Sequence, residues 1–182
     1  MASILPGLRR RPFGPILASV MCEKGIEAMS DDTRTRLVPA IQAARAGAAS
    51  GGIPIGSALF IDGALVATGH NRRVQDGSVI HHAEMNCLEN AGRLPAADYA
   101  RATLVTTLSP CDMCTGAVLL YGIPRVVIGE NRTFLGGEDL LRSRGVDVTV
   151  LDDPECVEMM TAFIATHPAL WAEDIGENEP TP

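Results

Sequence analysis

Beyond its first twenty-two residues the chain has no stretch approaching the roughly 18 apolar residues that a bilayer span needs, so no membrane crossing is expected. Positive charge is also scarce. Lys and Arg number 15 against 22 Asp and Glu, a formal net charge of -7. Proteins that track a phosphate backbone carry a basic face or stripe, so this balance argues against nucleic acid as a partner and for a small, uncharged substrate. Five cysteines are an odd number, and two of them form a Cys-x-x-Cys. That usage excludes a simple disulfide framework and fits metal binding in a reduced, cytoplasmic compartment. No internal repeat is visible, and 182 residues, 46% of them hydrophobic, suit one domain with a sizeable core.

Residues 1–22 contain Arg9, Arg10 and Arg11 and no acid, with a mildly apolar run from Pro15 to Cys22. The run is short, begins on proline and lacks a clear small-x-small cleavage site, so residues 1–30 read as a poorly ordered extension rather than a targeting peptide. Met21 and Met29 are alternative starts. From there the pattern alternates. Leu37, Ile41, Ala44 and Ala48 have helical spacing stopped by Gly51-Gly52, with Pro39 either in the first turn or kinking the helix. Ile55 to Ile61 and Leu65 to Thr68 read as strands joined by the turn pair Asp62-Gly63. His82 to Ala91 reads as a helix stopped by Gly92, Thr103 to Thr107 as a strand, and Cys111 to Tyr121 as a helix stopped by Gly122.

Val126 to Ile128 is a further strand, Glu138 to Arg144 a helix, and Val146 to Leu151 a strand. A helix between those last two strands implies a parallel pair with a right-handed crossover. Asp153-Pro154-Glu155 carries an N-cap, a proline at the first position and an acid, and starts a helix that runs to about Thr166. An amphipathic stretch from Trp171 to Ile175 follows, and residues 178–182 read as a frayed tail. The pattern predicts an α/β protein, a three-layer α/β/α sandwich with a mixed five-stranded sheet, in a single domain over 31–177.

The chemistry concentrates in two short words. Ser109-Pro110-Cys111-Asp112-Met113-Cys114 puts two thiolates three positions apart at a helix start, and His82-Ala83-Glu84 offers an imidazole and a carboxylate two residues on. Three protein ligands, His82, Cys111 and Cys114, leave zinc a fourth position for water, whose pKa the ion lowers to roughly 7. Hydrolysis of an aromatic amidine also needs a ring nitrogen to gain a proton and ammonia to leave protonated. One carboxylate that is not itself a ligand does both, and Glu84 is the candidate. A His, Cys, Cys site with a non-ligating glutamate is the pattern of zinc nucleobase deaminases.

With these words stand Gly69-His70-Asn71, Leu88-Glu89-Asn90, Gly92-Arg93-Leu94, Thr106 to Ala117, Tyr121 to Arg125, Gly129-Glu130-Asn131 and Glu173 to Glu177. Over roughly Gly51 to Glu177 the chain resembles the cytidine deaminase superfamily, and within it the fungal type of cytosine deaminase. The resemblance implies a cytidine-deaminase-like fold, one Zn2+ per chain on His82, Cys111 and Cys114, Glu84 as proton shuttle, and a homodimer. It further implies that Asn71 meets the pyrimidine with its side-chain amide and that the backbone of Ala83 and Ser109 lines the pocket. Phe134, Trp171 and Ile175 would cover the base, and Asp174 would give a polar contact inside a C-terminal lid near 169–177. Such a lid leaves little space for a ribose, so the implied reaction is that of a free base, cytosine to uracil plus ammonia, by zinc-hydroxide attack at C4. Two residues depart from the fungal pattern: Ala83 replaces a glycine, and Ala172 replaces an aromatic beside Trp171.

Other readings stand beside this one. Cys111 and Cys114 fit a redox pair by spacing alone, and a structural zinc would draw a fourth ligand from Cys22, Cys87 or Cys156. His81 rivals His82 by composition, although the His-x-Glu spacing selects His82. Asn71 taken alone is a turn former, and Phe134 and Trp171 are core aromatics. Within the class, the rival substrates are guanine, creatinine or a related cyclic amidine, or adenosine in transfer RNA. Outside it stands a non-catalytic zinc-binding module.

Overall fold

The computed structural model describes residues 33–177. The expectations for residues 1–30, Arg9 to Arg11, Cys22 and the tail 178–182 fall on or reach into residues outside that span. A first helix, α1 (33–49), precedes the hairpin of β1 (Gly56–Ile61) and β2 (Ala64–His70). Asp62 and Gly63 both take left-handed backbone, φ 50° and 82°, which suits the tight turn of a right-twisted hairpin. Next come the short α2 (Arg73–Asp76), α3 (Ala83–Ala91), the short α4 (Ala96–Tyr99) and β3 (Ala102–Leu108). The chain continues through α5 (Asp112–Tyr121), β4 (Arg125–Glu130), α6 (Glu138–Ser143), β5 (Asp147–Val150), α7 (Pro154–Thr166) and α8 (Pro168–Asp174).

The sheet is mixed and five-stranded, in the order β2-β1-β3-β4-β5. β1 pairs antiparallel with both β2 and β3. β3, β4 and β5 run parallel, so the expected parallel pair extends by one strand. Neighbouring residues on a strand point to opposite faces, and the two apolar clusters divide accordingly. Leu59, Leu104 and Val126 pack with Cys87 and Leu88 of α3, Val118 of α5 and Leu141 of α6. Phe60, Val105 and Val127 pack on the other side with Leu37, Ala40 and Ile41 of α1 and Cys156 of α7. β3 lies at the centre and is buried along its whole length. These are the three layers that the alternation of elements predicts.

Three local features differ from the sequence pattern or sharpen it. Pro39 lies inside α1, past its first turn, where the apolar face of Leu37, Ala40 and Ile41 is fully engaged with the sheet. His82 and Cys111 stand one position before their helices, as N-caps with extended backbone (ψ 163° and 175°), where the pattern predicts them inside the first turn. Asp153 caps α7 as expected, accepting from the amides of Glu155 and Cys156. α2 and α4 are too short to carry a periodic signal. Among the described residues no helix is long and apolar enough to cross a membrane.

Gly69 explains how α3 reaches its place. A Cβ there would lie 2.3 Å from the Cys87 nitrogen and 2.8 Å from the Ala83 carbonyl oxygen. Only glycine lets the backbone of α3 lie against β2, and α3 carries His82 and Glu84 at its start.

Candidate metal centre and pocket

β3 delivers the chain through Ser109-Pro110 to the start of α5, and the starts of α3 and α5 meet beyond the carboxyl end of that strand. Neither His82 nor Cys111 spends its side chain on capping the helix it precedes. The donor atoms of His82, Cys111 and Cys114 all lie within 4.8 Å of one another, with His82 Nδ1 at 3.4 Å from Cys111 Sγ. Around tetrahedral zinc, bonds of about 2.0 Å to nitrogen and 2.3 Å to sulfur put ligand atoms about 3.5–3.8 Å apart. One imidazole and two thiolates are also the donors zinc prefers. The residues fit the ion.

Among the described residues no fourth protein donor joins this group. Cys87 gives its thiol to the Ala67 carbonyl oxygen at 3.5 Å, and Cys156 is buried in the cluster on the other face of the sheet. The thiols titrate as a pair. Hydrogen bonding from Cys114, with His82 adding to it, pulls Cys111 down to about 4 against the effect of burial. The hydrogen bond to Cys111 and near-complete burial push Cys114 up. The positive ends of two helix dipoles favour the same thiolate form that a metal requires.

Glu84 sits in the first turn of α3, 4% exposed, beside the donors and not among them. Its Oε1 accepts from the Thr106 hydroxyl at 3.0 Å and its Oε2 from the Cys114 thiol at 3.3 Å. Burial first, then the charge on Cys111, raises this carboxyl above its ordinary value. A carboxylic acid raised in this way is suited to giving and retaking a proton.

Above Glu84 lies a small cavity of about 20 Å³. Asn71, Ala83 and Ser109 line it together with His82, Glu84 and Cys111. Phe134, Trp171, Asp174 and Ile175 complete the wall, so all seven residues of the expected contact set face one space. Phe134 and Trp171 meet edge to face at 6.0 Å and 88°. Asn71 is fully buried; its Nδ2 donates to both oxygens of Asp174 at 3.1 and 3.2 Å, and its Oδ1 accepts from the Arg73 amide. Asp174 Oδ1 also stands 3.9 Å from His82 Nε2, the ring nitrogen turned away from Cys111. The methyl of Ala83, where the fungal pattern has glycine, is taken up in the apolar cluster of Ile53, Ile55, Leu108, Met160 and Trp171. A wider groove of about 720 Å³ lies over α3, α4 and α5, but none of the metal donors lines it.

Three residues at or behind this wall have no role assigned to them by the sequence pattern. Thr106 orients Glu84. Glu138 accepts from Ser109 Oγ at 2.9 Å and Asn131 Nδ2 at 3.0 Å, while Ser109 Oγ accepts from the Gly136 amide, which ties down the loop bearing Phe134. Arg73 binds Asp174 at 2.8 Å. A buried threonine in mid-strand facing α3 was the available signal for Thr106; the partners of Glu138 and Arg73 come from distant segments and leave none.

Two helix starts that converge to hold one ion and keep a protonatable carboxylate beside it, on a mixed-sheet sandwich, define a zinc-dependent hydrolase of the deaminase class. Residues 30–130 match the family described as the cytidine and deoxycytidylate deaminase zinc-binding region, and the chain belongs to that family. It is 51% identical over 150 residues to a cytosine deaminase of Candida albicans, an alignment spanning 82% of this chain and 100% of the relative. A tRNA-specific adenosine deaminase of Bacillus subtilis is 41% identical over 134 residues, 68% of this chain and 83% of the relative. Among solved structures, a guanine deaminase from Nitrosomonas europaea superposes with a TM-score of 0.56 at 28% identity, covering 71% of this chain and 83% of that one.

Proposed function

We propose that the protein deaminates cytosine to uracil and ammonia, with residues 31–177 forming the catalytic domain and residues 169–177 the lid over the base. The observation that carries this reading is the closed roof. Phe134, Trp171 and Ile175 come down on the cavity until about 20 Å³ is left, so even a flat ring enters only as this roof yields, and a ribose beside it has no room. The full-length likeness to the Candida cytosine deaminase supports the choice of base.

His82, Cys111 and Cys114 would hold the zinc, which when bound supplies the Lewis acidity that makes water a nucleophile near neutral pH. Glu84 takes one proton from water as that water adds at C4 and gives it to ring N3, then takes the remaining hydroxyl proton and passes it to the leaving amine, so that the carboxylate ends as it began. Thr106 keeps the carboxyl turned toward the ring. With one N–H shared between the two Asp174 oxygens and one lone pair taken by the Arg73 amide, Asn71 has one N–H and one lone pair left, so its amide serves the C2 carbonyl and the N1–H together. Asp174 and the backbone of Ala83 and Ser109 complete the polar edge, and the aromatic pair excludes bulk water.

A homodimer belongs to the same reading. It is supported by the groove over α3, α4 and α5, which Leu88, Leu94, Leu120 and Tyr121 help to line, with Leu120 78% exposed. The charge of -7 supports a small molecule over RNA, and four unpaired cysteines among the described residues support a reducing cytoplasm. Steady-state ammonia release from cytosine, cytidine, guanine and creatinine tests the substrate. Turnover of cytosine alone or above the others is expected; rapid turnover of cytidine with none of cytosine would overturn it.

A further inference from the structure

The side-chain hydrogen bonds of Arg73 go to Glu173 and Asp174 and not to the metal donors, and it is the most heavily engaged arginine of the site. Its side chain is only 12% exposed. Nη1 donates to Asp174 Oδ1 at 2.8 Å and to Glu173 Oε2 at 3.3 Å, and Nη2 donates to Glu173 Oε1 at 2.6 Å. Its own amide is fixed by the Asn71 side chain. One guanidinium therefore ties α2 to α8, 100 residues further along the chain, through a two-pronged bond to Glu173 and a single bond to Asp174.

What this tie holds shut is visible in the space on either side. The cavity over Glu84 is about 20 Å³, room for little more than one water. Outside it lies a recess of about 550 Å³ to which Arg73 and Glu173 contribute. His82, Cys111, Phe134, Asp174 and Ile175 line both spaces and so form the partition between them. A flat base crosses from recess to cavity only when α8 and the Phe134 loop give way. The Arg73 bonds are not uniform. The Asp174 carboxylate is 2% exposed and the Glu173 carboxylate 60%, so water competes for the second prong far more than for the first. Arg73 Nε is buried with no partner, so the closed arrangement leaves one donor unsatisfied and is not held as deeply as a fully bonded one.

We propose that Arg73 is the latch of the pocket: a positioning residue that holds Asp174 against Asn71 and sets how readily α8 opens to admit a base and release the product. This rests on the proposed function only in taking α8 as the roof of the substrate site. Trp171, the one tryptophan of the chain, lies on α8 and is 8% exposed, so its fluorescence reports the roof with no substrate present.

The experiment is acrylamide quenching of Trp171 in the zinc-loaded full chain, comparing wild type with Arg73→Gln, Arg73→Lys and Glu173→Gln. Arg73→Gln is expected to raise the quenching constant about threefold or more, with Glu173→Gln and Arg73→Lys in between, at unchanged zinc content and circular dichroism. In turnover, Arg73→Gln is expected to raise KM about tenfold while kcat changes far less, and Arg73→Lys to recover part of it. A folded, zinc-loaded Arg73→Gln with wild-type quenching overturns the proposal. If that variant does not fold, Glu173→Gln decides, and wild-type quenching there overturns it equally. Altered quenching in a protein that does not turn over cytosine leaves the latch standing and removes the substrate assignment instead.

Discussion

The Thr106 hydroxyl donates to Oε1 of Glu84 at 3.0 Å, from a central strand to the first turn of the helix that also begins at His82. The carboxyl proposed as proton carrier and one metal donor are thus fixed by the same helix start, and the strand sets the direction of the carboxyl. Glu84→Gln keeps the shape and the donor set, because Glu84 is not among the metal donors. It removes the group proposed to carry protons to N3 and to the amine. The expected result is normal zinc content by metal analysis and an ammonia-release rate lowered about 10²- to 10⁴-fold. Undiminished turnover would remove Glu84 from the mechanism.

Thr106→Val separates orientation from chemistry. The side chain keeps its volume, but Glu84 Oε1 loses its hydroxyl donor while buried, and hydrogen bonds to charged groups are worth about 1.5–3 kcal/mol. Because Thr106 does not line the cavity, the loss is expected in kcat, about tenfold or more, with KM nearly constant. A rise in KM with constant kcat would mean that Thr106 shapes binding instead.

Removing a donor should cost the metal, and removing another cysteine should not. Cys114→Ala takes away a ligand that is fully buried between Cys111 and Glu84, whereas Cys156→Ala only trims a side chain packed on the far face of the sheet. Expected are loss of zinc and of turnover in the first, and full zinc occupancy with a modest drop in stability in the second. Chelation of the wild type should reproduce the first and lower the melting temperature, since an ion bound only by the folded chain stabilises it by mass action. Zinc retained by Cys114→Ala would point to a donor set other than His82, Cys111 and Cys114.

How much of this was open to inspection in the sequence depends on the range of the interaction. His82, Glu84, Cys111 and Cys114 announce themselves because their spacing within a turn of helix is itself the chemistry. Asp62-Gly63 and Asp153-Pro154 announce turns and caps for the same local reason. Arg73 does not. In a polar run with Arg72 and Asp76 it reads as a solvated charge, and the acids that bury it lie at the other end of the domain. Glu138 likewise reads as an ordinary first-turn acid, although it holds Ser109 and Asn131 together. The position of Pro39 inside α1 shows the converse case, in which packing of an apolar face overrides a local breaker.

Two glycines give a paired test of how α3 is seated. At Gly69 an added methyl meets backbone, 2.3 Å from the Cys87 nitrogen, and no side-chain rotation relieves it. Helix α3 must lift from β2 and carry His82 and Glu84 with it. Gly69→Ala is therefore expected to destabilise the fold by about 1–3 kcal/mol or more, as overpacking of a tight contact does, and to weaken zinc retention as well. At Gly116, inside α5 and exposed, an added methyl meets nothing within 4 Å. The helix-propensity gain of alanine over glycine, about 0.5–1 kcal/mol, is then the main term, so Gly116→Ala should raise the melting temperature and leave the metal site intact. Thermal denaturation and zinc analysis of the two variants check both signs. A Gly69→Ala protein as stable and as zinc-loaded as wild type would mean that α3 does not need that close approach to place its ligands.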